Sequence, residues 1–293
     1  KNGIVGNDIA TIDNASLTSL FKQAHNSLWA GGQLNPSEAF DELDKLIFCK
    51  IWDERQERKE GEPYAFQVIN EDGLTDEDVN NRRLKENAAL FNRVNKLYEE
   101  GRKKDPAVFR DSIRLSPEKV RTVVSYLEGV NLSMTDLDSK GHAFETFMDS
   151  FFRGNFGQYF TPRNIVSFIV SVLPITNTSK VMDTSCGSGG FLLYALDKVR
   201  KQASDIYPDY QKSKQSKEKW YKHWHDFASN NLFGIEISEQ ISRAAKMNMI
   251  IHDDGHTNVV TSDGLVNDTD IQEEYGNLGF KYGTFDFIIT NPP

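Results

Sequence analysis

The chain has 293 residues and a net charge of −9, from 43 Asp+Glu against 34 Lys+Arg, a length that suggests two domains. Hydrophobic residues at 38 % and charged residues at 26 % exclude a disordered tail protein and a collagen-like fibre. Cys49 and Cys186 are the only cysteines, too few for a disulfide framework or a four-thiolate zinc site.

No apolar run approaches the roughly 20 residues of a membrane helix. The 165–173 run is short and interrupted by serines. No basic-then-apolar leader opens the chain, so a cytoplasmic location and no membrane partner are expected. An acidic chain binds nucleic acid poorly by itself, because non-specific affinity comes from neutralised phosphates. A local basic face or a partner subunit would have to supply the attraction.

In chain order, Leu17, Leu20, Phe21, Ala24 and Leu28 form a first apolar stripe at helical spacing. Asn35-Pro36-Ser37-Glu38 combines a capping Asn, Pro at the first helical position and Glu at the third. Behind it Phe40, Leu43, Ile47, Phe48, Ile51 and Trp52 make a second stripe. The acidic 54–78 segment, with Gly61, Pro63 and Gly73, reads as a loop or small excursion. Leu84, Ala88, Phe91, Val94, Leu97 and Tyr98 form a third stripe, and Ser116-Pro117 opens a fourth through Val120, Val123, Val124 and Leu127. Four stripes and no strand pattern predict an N-terminal helical bundle domain over 1–135.

The texture then changes. Phe144, Phe147, Met148, Phe151 and Phe152 predict a helix, and 165–173 another, capped by Thr161-Pro162. Strands are predicted at 180–183, 232–236, 258–261 and 285–290, with helices at 191–199 and 239–251 between them. Strands alternating with helices mean crossovers and a parallel sheet. The fold class is α/β: the bundle is followed by a partial Rossmann-like domain over 136–293, with the 180–183 strand between those at 232–236 and 285–290.

The chemistry-bearing residues gather at the ends of these strands. Asp183-Thr184-Ser185-Cys186-Gly187-Ser188-Gly189-Gly190 passes from strand to helix, where glycines let backbone approach a ligand and the helix offers free N–H groups. Alone, such a turn is either a tight turn without ligand or a nucleotide site. Glu236 closes the second strand, where a carboxylate can accept ribose hydroxyls. Its distance from the glycine turn far exceeds the roughly 20 residues usual for nucleotide folds, so about 201–229 is an insertion. Asp263, after the third strand, is equally an acceptor for an adenine amino group or an Asx-turn. Asn291-Pro292-Pro293 follows the fourth strand. Two prolines fix the backbone and remove two donors, leaving an Asn amide and a carbonyl as acceptors for an amine.

Together with Gly157-Gln158-Tyr159-Phe160-Thr161-Pro162-Arg163, this ordered set resembles the N6-adenine DNA methyltransferases, and within them the modification subunits of type I restriction-modification systems. The resemblance implies that Gln158, Tyr159, Phe160, Thr161, Pro162 and Arg163 lie against the methionine part of S-adenosyl-L-methionine. It implies that Asp183, Cys186, Gly187, Ser188 and Gly189 hold the methionine and backbone side. Glu236 would take the ribose hydroxyls and Asp263 the adenine amino group. Asn291, Pro292 and Pro293 would form the catalytic motif at the N6 amine of an adenine flipped from double-stranded DNA. The implied partners are a specificity subunit and a restriction subunit, and no metal is called for. Thr184 stands where the family usually has Pro. The family's tetrapeptide ends in an aromatic residue, which this chain lacks after Pro293, so a fragment of a longer protein, inactive alone, is expected.

Other readings remain open at this stage: a non-catalytic assembly and DNA-docking module, or a glutamine or rRNA N-methyltransferase using the same Asn-Pro-Pro chemistry. The 198–224 segment carries eight Lys/Arg against three Asp/Glu, with Tyr207, Tyr210, Trp220, Tyr221 and Trp224 interleaved. It is either a DNA-backbone contact or a helix whose aromatics pack on the domain. His223, His225, His252 and His256 have no evident ligand partners in the sequence.

Overall fold

A computed structural model describes residues 9–30, 32–59, 62–69, 79–104, 111–156, 160–252 and 258–293. Parts of the acidic 54–78 segment, the Gly157-Gln158-Tyr159 tripeptide and His256 lie outside the described residues. The chain forms two compact units, 1–155 and 156–293.

In the first unit, α1 (Asn14–Trp29), α2 (Pro36–Glu54), α3 (Val79–Lys104) and α4 (Pro117–Leu127) follow the four stripes. Asn35 and Glu38 form a reciprocal capping box at the start of α2, and Ser116 caps α4 ahead of Pro117. These side chains satisfy backbone donors that a helix start leaves unpaired. α5 (Leu137–Phe156) brings Phe147 and Phe151 onto Phe40, with ring centroids 5.3 and 4.5 Å apart. Stacked pairs of this kind contribute about 0.5–1.5 kcal/mol each beyond burial. That packing places nearly all of α5 with the bundle, so the compact units divide later than the 135/136 boundary the sequence suggests.

The second unit contains α6 (Arg163–Val172), β1 (Val181–Asp183), α7 (Gly190–Ile206), α8 (Lys214–Asn231), β2 (Leu232–Glu236), α9 (Glu239–Ile251), β3 (Val259–Thr261), α10 (Asp268–Tyr275) and β4 (Phe287–Ile288). The four strands are parallel, in the order β3-β2-β1-β4. The expected neighbours of β1 are thus the observed ones. All residues of β1 and β2 are buried, as in sheets covered on both faces. Val181, Leu232 and Val259 point into one apolar cluster with α6, α7, α8 and α9. Met182, Phe233 and Val260 alternate into a second with Ile271 of α10.

Two local expectations are corrected. Thr161 does not cap α6: Pro162 occupies the N-cap position, with no side-chain cap hydrogen bond. The last strand pairs over two residues rather than six, and Ile288 on this edge is exposed.

The insertion supplies α8. Trp220 Nε1 donates to Ser204 Oγ at 3.0 Å, Tyr210 stacks on Trp220 at 4.5 Å, and the Arg200 guanidinium lies 4.3 Å from the ring centre of buried Trp224. The interleaved aromatics therefore pack against one another and on α7. Lys212, Lys214, Lys217, Lys219 and Lys222 are exposed. α8 runs directly into β2, and Asn231 donates to the Asn177 carbonyl ahead of β1. Its C-terminus therefore lies at the N-terminal edge of the sheet. Among the described residues no helix is long and apolar enough to cross a membrane.

The loop after β3 meets the turn after β1 at Gly264. A Cβ there would overlap the Thr184 carbonyl oxygen, and backbone cannot rotate away as a side chain can. Gly264→Ala is expected to destabilise the protein by about 1–3 kcal/mol, the usual cost of overpacking, with the fold retained. Denaturant midpoints of the two proteins check this.

Candidate active site at the strand ends

β1, β2 and β3 proceed in one direction across the sheet, and β4 returns to the other side of β1. Such a reversal opens a crevice beyond the strands' C-terminal ends, where open α/β sheets bind ligands. A cavity of about 630 Å³ lies there. Its lining includes Phe160, Thr161, Asp183, Cys186, Gly187, Ser188, Glu236, Asp263, Asn291, Pro292 and Pro293. Residues separated by more than a hundred positions are brought together as expected from the sequence.

The carboxylates at the ends of β1 and β2 organise this space. Asp183 is 1 % exposed, and its Oδ1 accepts from the Ser185 N–H at 3.1 Å. Burial pushes its carboxyl up to about 6, with nearby Glu236 adding to the rise, against the opposing hydrogen bonds from Ser185 and Thr290. Glu236 is also buried; its Oε2 accepts from the Gly187 N–H at 3.0 Å and its Oε1 from the Ser238 N–H at 2.9 Å. Each carboxylate oxygen has two lone pairs, so both can accept another donor.

The connecting turn needs its glycines. Gly187 and Gly189 have φ of +54° and +84°, in the left-handed region that favours glycine. The Cys186 N–H donates to the Ile235 carbonyl at 2.8 Å, tying the turn to β2. Burial raises the Cys186 thiol well above its ordinary value, which suppresses the thiolate needed for nucleophilic chemistry. Asn248 of α9 donates to the Ser188 carbonyl at 3.0 Å and holds the far side of the turn.

Asp263 makes the Asx-turn, its Oδ1 accepting from the Leu265 N–H at 2.9 Å, and it also lines the cavity. The turn reading is thus the observed one. Phe160 lies over the glycine turn, where a Cβ on Gly187 would sit 3.4 Å from its ring. Asn291 Nδ2 donates to Thr161 Oγ1 at 3.1 Å. Thr184 and Thr290 join the ends of β1 and β4 through their hydroxyls, 3.4 Å apart.

Pro162, Arg163 and Gly189 are not in the lining. Pro162 and Arg163 begin α6, and Gly189 occupies the N-cap position of α7. Gln158 and Tyr159 lie outside the described residues. Sequence reasoning missed Ile237 and Leu265, which line the cavity although exposed to 71 % and 94 %. The available signal was an apolar residue one position past Glu236 and two past Asp263.

A family model for "N-6 DNA Methylase" matches residues 135–293. The Type II restriction enzyme and methyltransferase RM.BcgI of Heyndrickxia coagulans is 30 % identical over 165 residues, 55 % of this chain and 22 % of the relative. The Type I restriction enzyme MjaIX methylase subunit of Methanocaldococcus jannaschii is 28 % identical over 159 residues, 53 % of this chain and 23 % of the relative. The chain thus spans less than a quarter of the length of either. A type I restriction-modification system methyltransferase subunit from Streptococcus thermophilus matches 96 % of this chain and 64 % of its own, with a TM-score of 0.54 and 16 % identity. That likeness shows the fold.

The raised Asp183 pKa carries a stability consequence. Folding favours its protonated form, so this contribution is present below the ordinary value of 3.8 and is lost as pH rises through about 6. Asn at this position is neutral throughout. Asp183→Asn is therefore expected to be more stable than the parent by roughly 3 kcal/mol above that window, with the difference closing at its acid end. Denaturant midpoints across the range test the sign.

Proposed function

The chain belongs to the N-6 DNA methylase family, and on that premise we propose that it is the catalytic part of a site-specific DNA adenine-N6 methyltransferase, the modification subunit of a type I restriction-modification system. The observation that carries this reading is the opening of Asn291-Pro292-Pro293 onto the same cavity as Asp183 and Glu236. An amine-accepting motif and a nucleoside-accepting carboxylate thereby share one space.

The lining fits S-adenosyl-L-methionine. Glu236 has acceptor capacity for a ribose diol, Asp263 for an adenine amino group, and Ile237 with Leu265 offers apolar surface for the purine. Asp183, a carboxyl whose ionisation is costly where it stands, suits the ammonium of the methionine portion, because a cation beside it offsets the desolvation. Cys186, Gly187 and Ser188 present the turn's backbone to the same portion, and Phe160 covers it. When bound, this cofactor supplies a methyl group on a sulfonium, already activated for transfer.

The remaining work falls to the protein. A target adenine must leave the duplex to reach the cavity. Asn291 Oδ1 and the Pro292 carbonyl accept the two hydrogens of its N6 amine. Those bonds would hold the amine toward the sulfonium methyl that the cofactor would supply, with the neutral thioether as leaving group. They also stabilise the positive charge developing on nitrogen before a proton leaves it. Positioning and preorganised acceptors are the main catalytic devices. Pro293 stiffens the motif. DNA, a specificity subunit and a restriction subunit are the partners this reading calls for. The type I methylase relative supports the subunit assignment. The net charge of −9 leaves much of the attraction for the duplex to a basic partner.

In the intact natural protein with its partner subunits, Asn291→Ala is expected to abolish adenine-N6 methylation and leave cofactor affinity within a few fold. The lost acceptor should be worth on the order of 3 kcal/mol in the transition state. Methyl-transfer assays paired with calorimetry on the folded variant check both halves, and turnover near the parent's would defeat the catalytic assignment.

A further inference from the structure

An Asn side chain can serve an amine only if its oxygen, and not its nitrogen, faces the guest. The two ends of the amide have nearly the same shape and opposite hydrogen-bonding character. Asn291 is exposed and lies beyond β4.

A hydroxyl can donate or accept, so it can hold either end of the amide; with an amine bound at Oδ1, the end left for it to hold is Nδ2. Asn291 Nδ2 donates to Thr161 Oγ1 at 3.1 Å. We propose that Thr161 is a positioning residue for catalysis: its hydroxyl accepts the Asn291 amide N–H and keeps Oδ1 turned toward the target amine. The family resemblance alone groups Thr161 with the cofactor contacts. The inference rests on the adenine-methyltransferase reading and deepens it.

The surrounding geometry supports the assignment. Thr161 is held in a short segment between Phe160, which packs over Gly187, and Pro162 at the N-cap of α6. Its position is therefore coupled both to the glycine turn and to a helix start. On the opposite side, Thr290 is tied to Thr184 across the β1–β4 ladder, fixing the backbone from which Asn291 projects. The amide is thus held at its root by the sheet and at its nitrogen by Thr161. With the amide reversed, its N–H₂ would face the amine's N–H₂, two donors without an acceptor. A bound amine therefore requires an acceptor for Nδ2, and Thr161 Oγ1 is in place to be it.

Thr161→Val removes the hydroxyl and keeps the side-chain shape, while Thr161→Ser keeps the hydroxyl and drops a methyl. In the intact, assembled enzyme, Thr161→Val should lower the single-turnover rate of adenine methylation by about tenfold or more, the scale of a misoriented polar group in an active site. Cofactor affinity and thermal midpoint should stay near the parent's, and Thr161→Ser should recover most of the rate. Loss of cofactor affinity with an unchanged rate would make Thr161 a cofactor contact and overturn the proposal. Equal loss in the Val and Ser variants, or no loss in either, would overturn it too. If the parent itself transfers no methyl group to adenine, the functional reading fails and this inference with it. A parent that methylates adenine beside an equally fast Val variant refutes the inference alone.

Discussion

Two carboxylates buried at adjacent strand ends are the constraint on which the second unit is built. Asp183 and Glu236 stand where polar groups are costly, and each is satisfied by backbone N–H groups of the chain leaving the sheet. The Ser185 N–H serves Asp183, and the Gly187 and Ser238 N–H groups serve Glu236. The turn after β1 is thus shaped around the end of β2. Its left-handed glycines, the side-chain-free strand position at Gly234 against Cys186 and Leu192, and the close approach of Gly264 to Thr184 follow from that tight junction.

The same arrangement leads from fold to chemistry. Each carboxylate spends part of its accepting capacity on the chain and keeps the rest for the cavity. A space walled by two buried acids, with apolar Ile237 and Leu265 at exposed positions on its lining, suits a nucleoside that carries a cationic tail. β4 enters beside β1 at the sheet's reversal point and ends in a motif rich in acceptors and poor in donors. The topology places Asp183, Glu236 and Asn291 on one edge of the sheet, the juxtaposition on which the proposed methyl transfer rests. The exposed lysines of α8 lie in its first half. Its C-terminus sits at the N-terminal edge of the sheet, and its aromatics are spent on α7.

Much of this was legible in the sequence. The capping box at Asn35, the proline at position 117 and the apolar stripes located the bundle helices, since caps and periodicity are local signals. The strand neighbours followed from requiring Asp183, Glu236 and Asn291 to share one crevice. Less legible were features set by tertiary contact. α10 buries only Ile271 and so carries no stripe. α5 reads as the opening of the second domain, yet its phenylalanines pack on Phe40. β4 pairs with β1 over two residues, a length that its longer apolar run does not show. Thr161 looked like a helix cap, and its hydrogen bond to a residue 130 positions away has no trace in local spacing.

The central claim, that the acidic corner of this cavity receives a cationic nucleoside donor, is tested most directly by the proton inventory of binding. S-adenosyl-L-methionine is titrated calorimetrically into the intact protein, in buffers of different ionisation enthalpy, near the Asp183 pKa of about 6 and again one unit higher. If the ammonium settles beside Asp183, binding drives off the proton that the carboxyl holds there: about half a proton at the pKa, falling to a small fraction one unit above it. The release should vanish in Asp183→Asn. Binding with no proton release at the pKa, or with the same release in the Asn variant, would contradict the account.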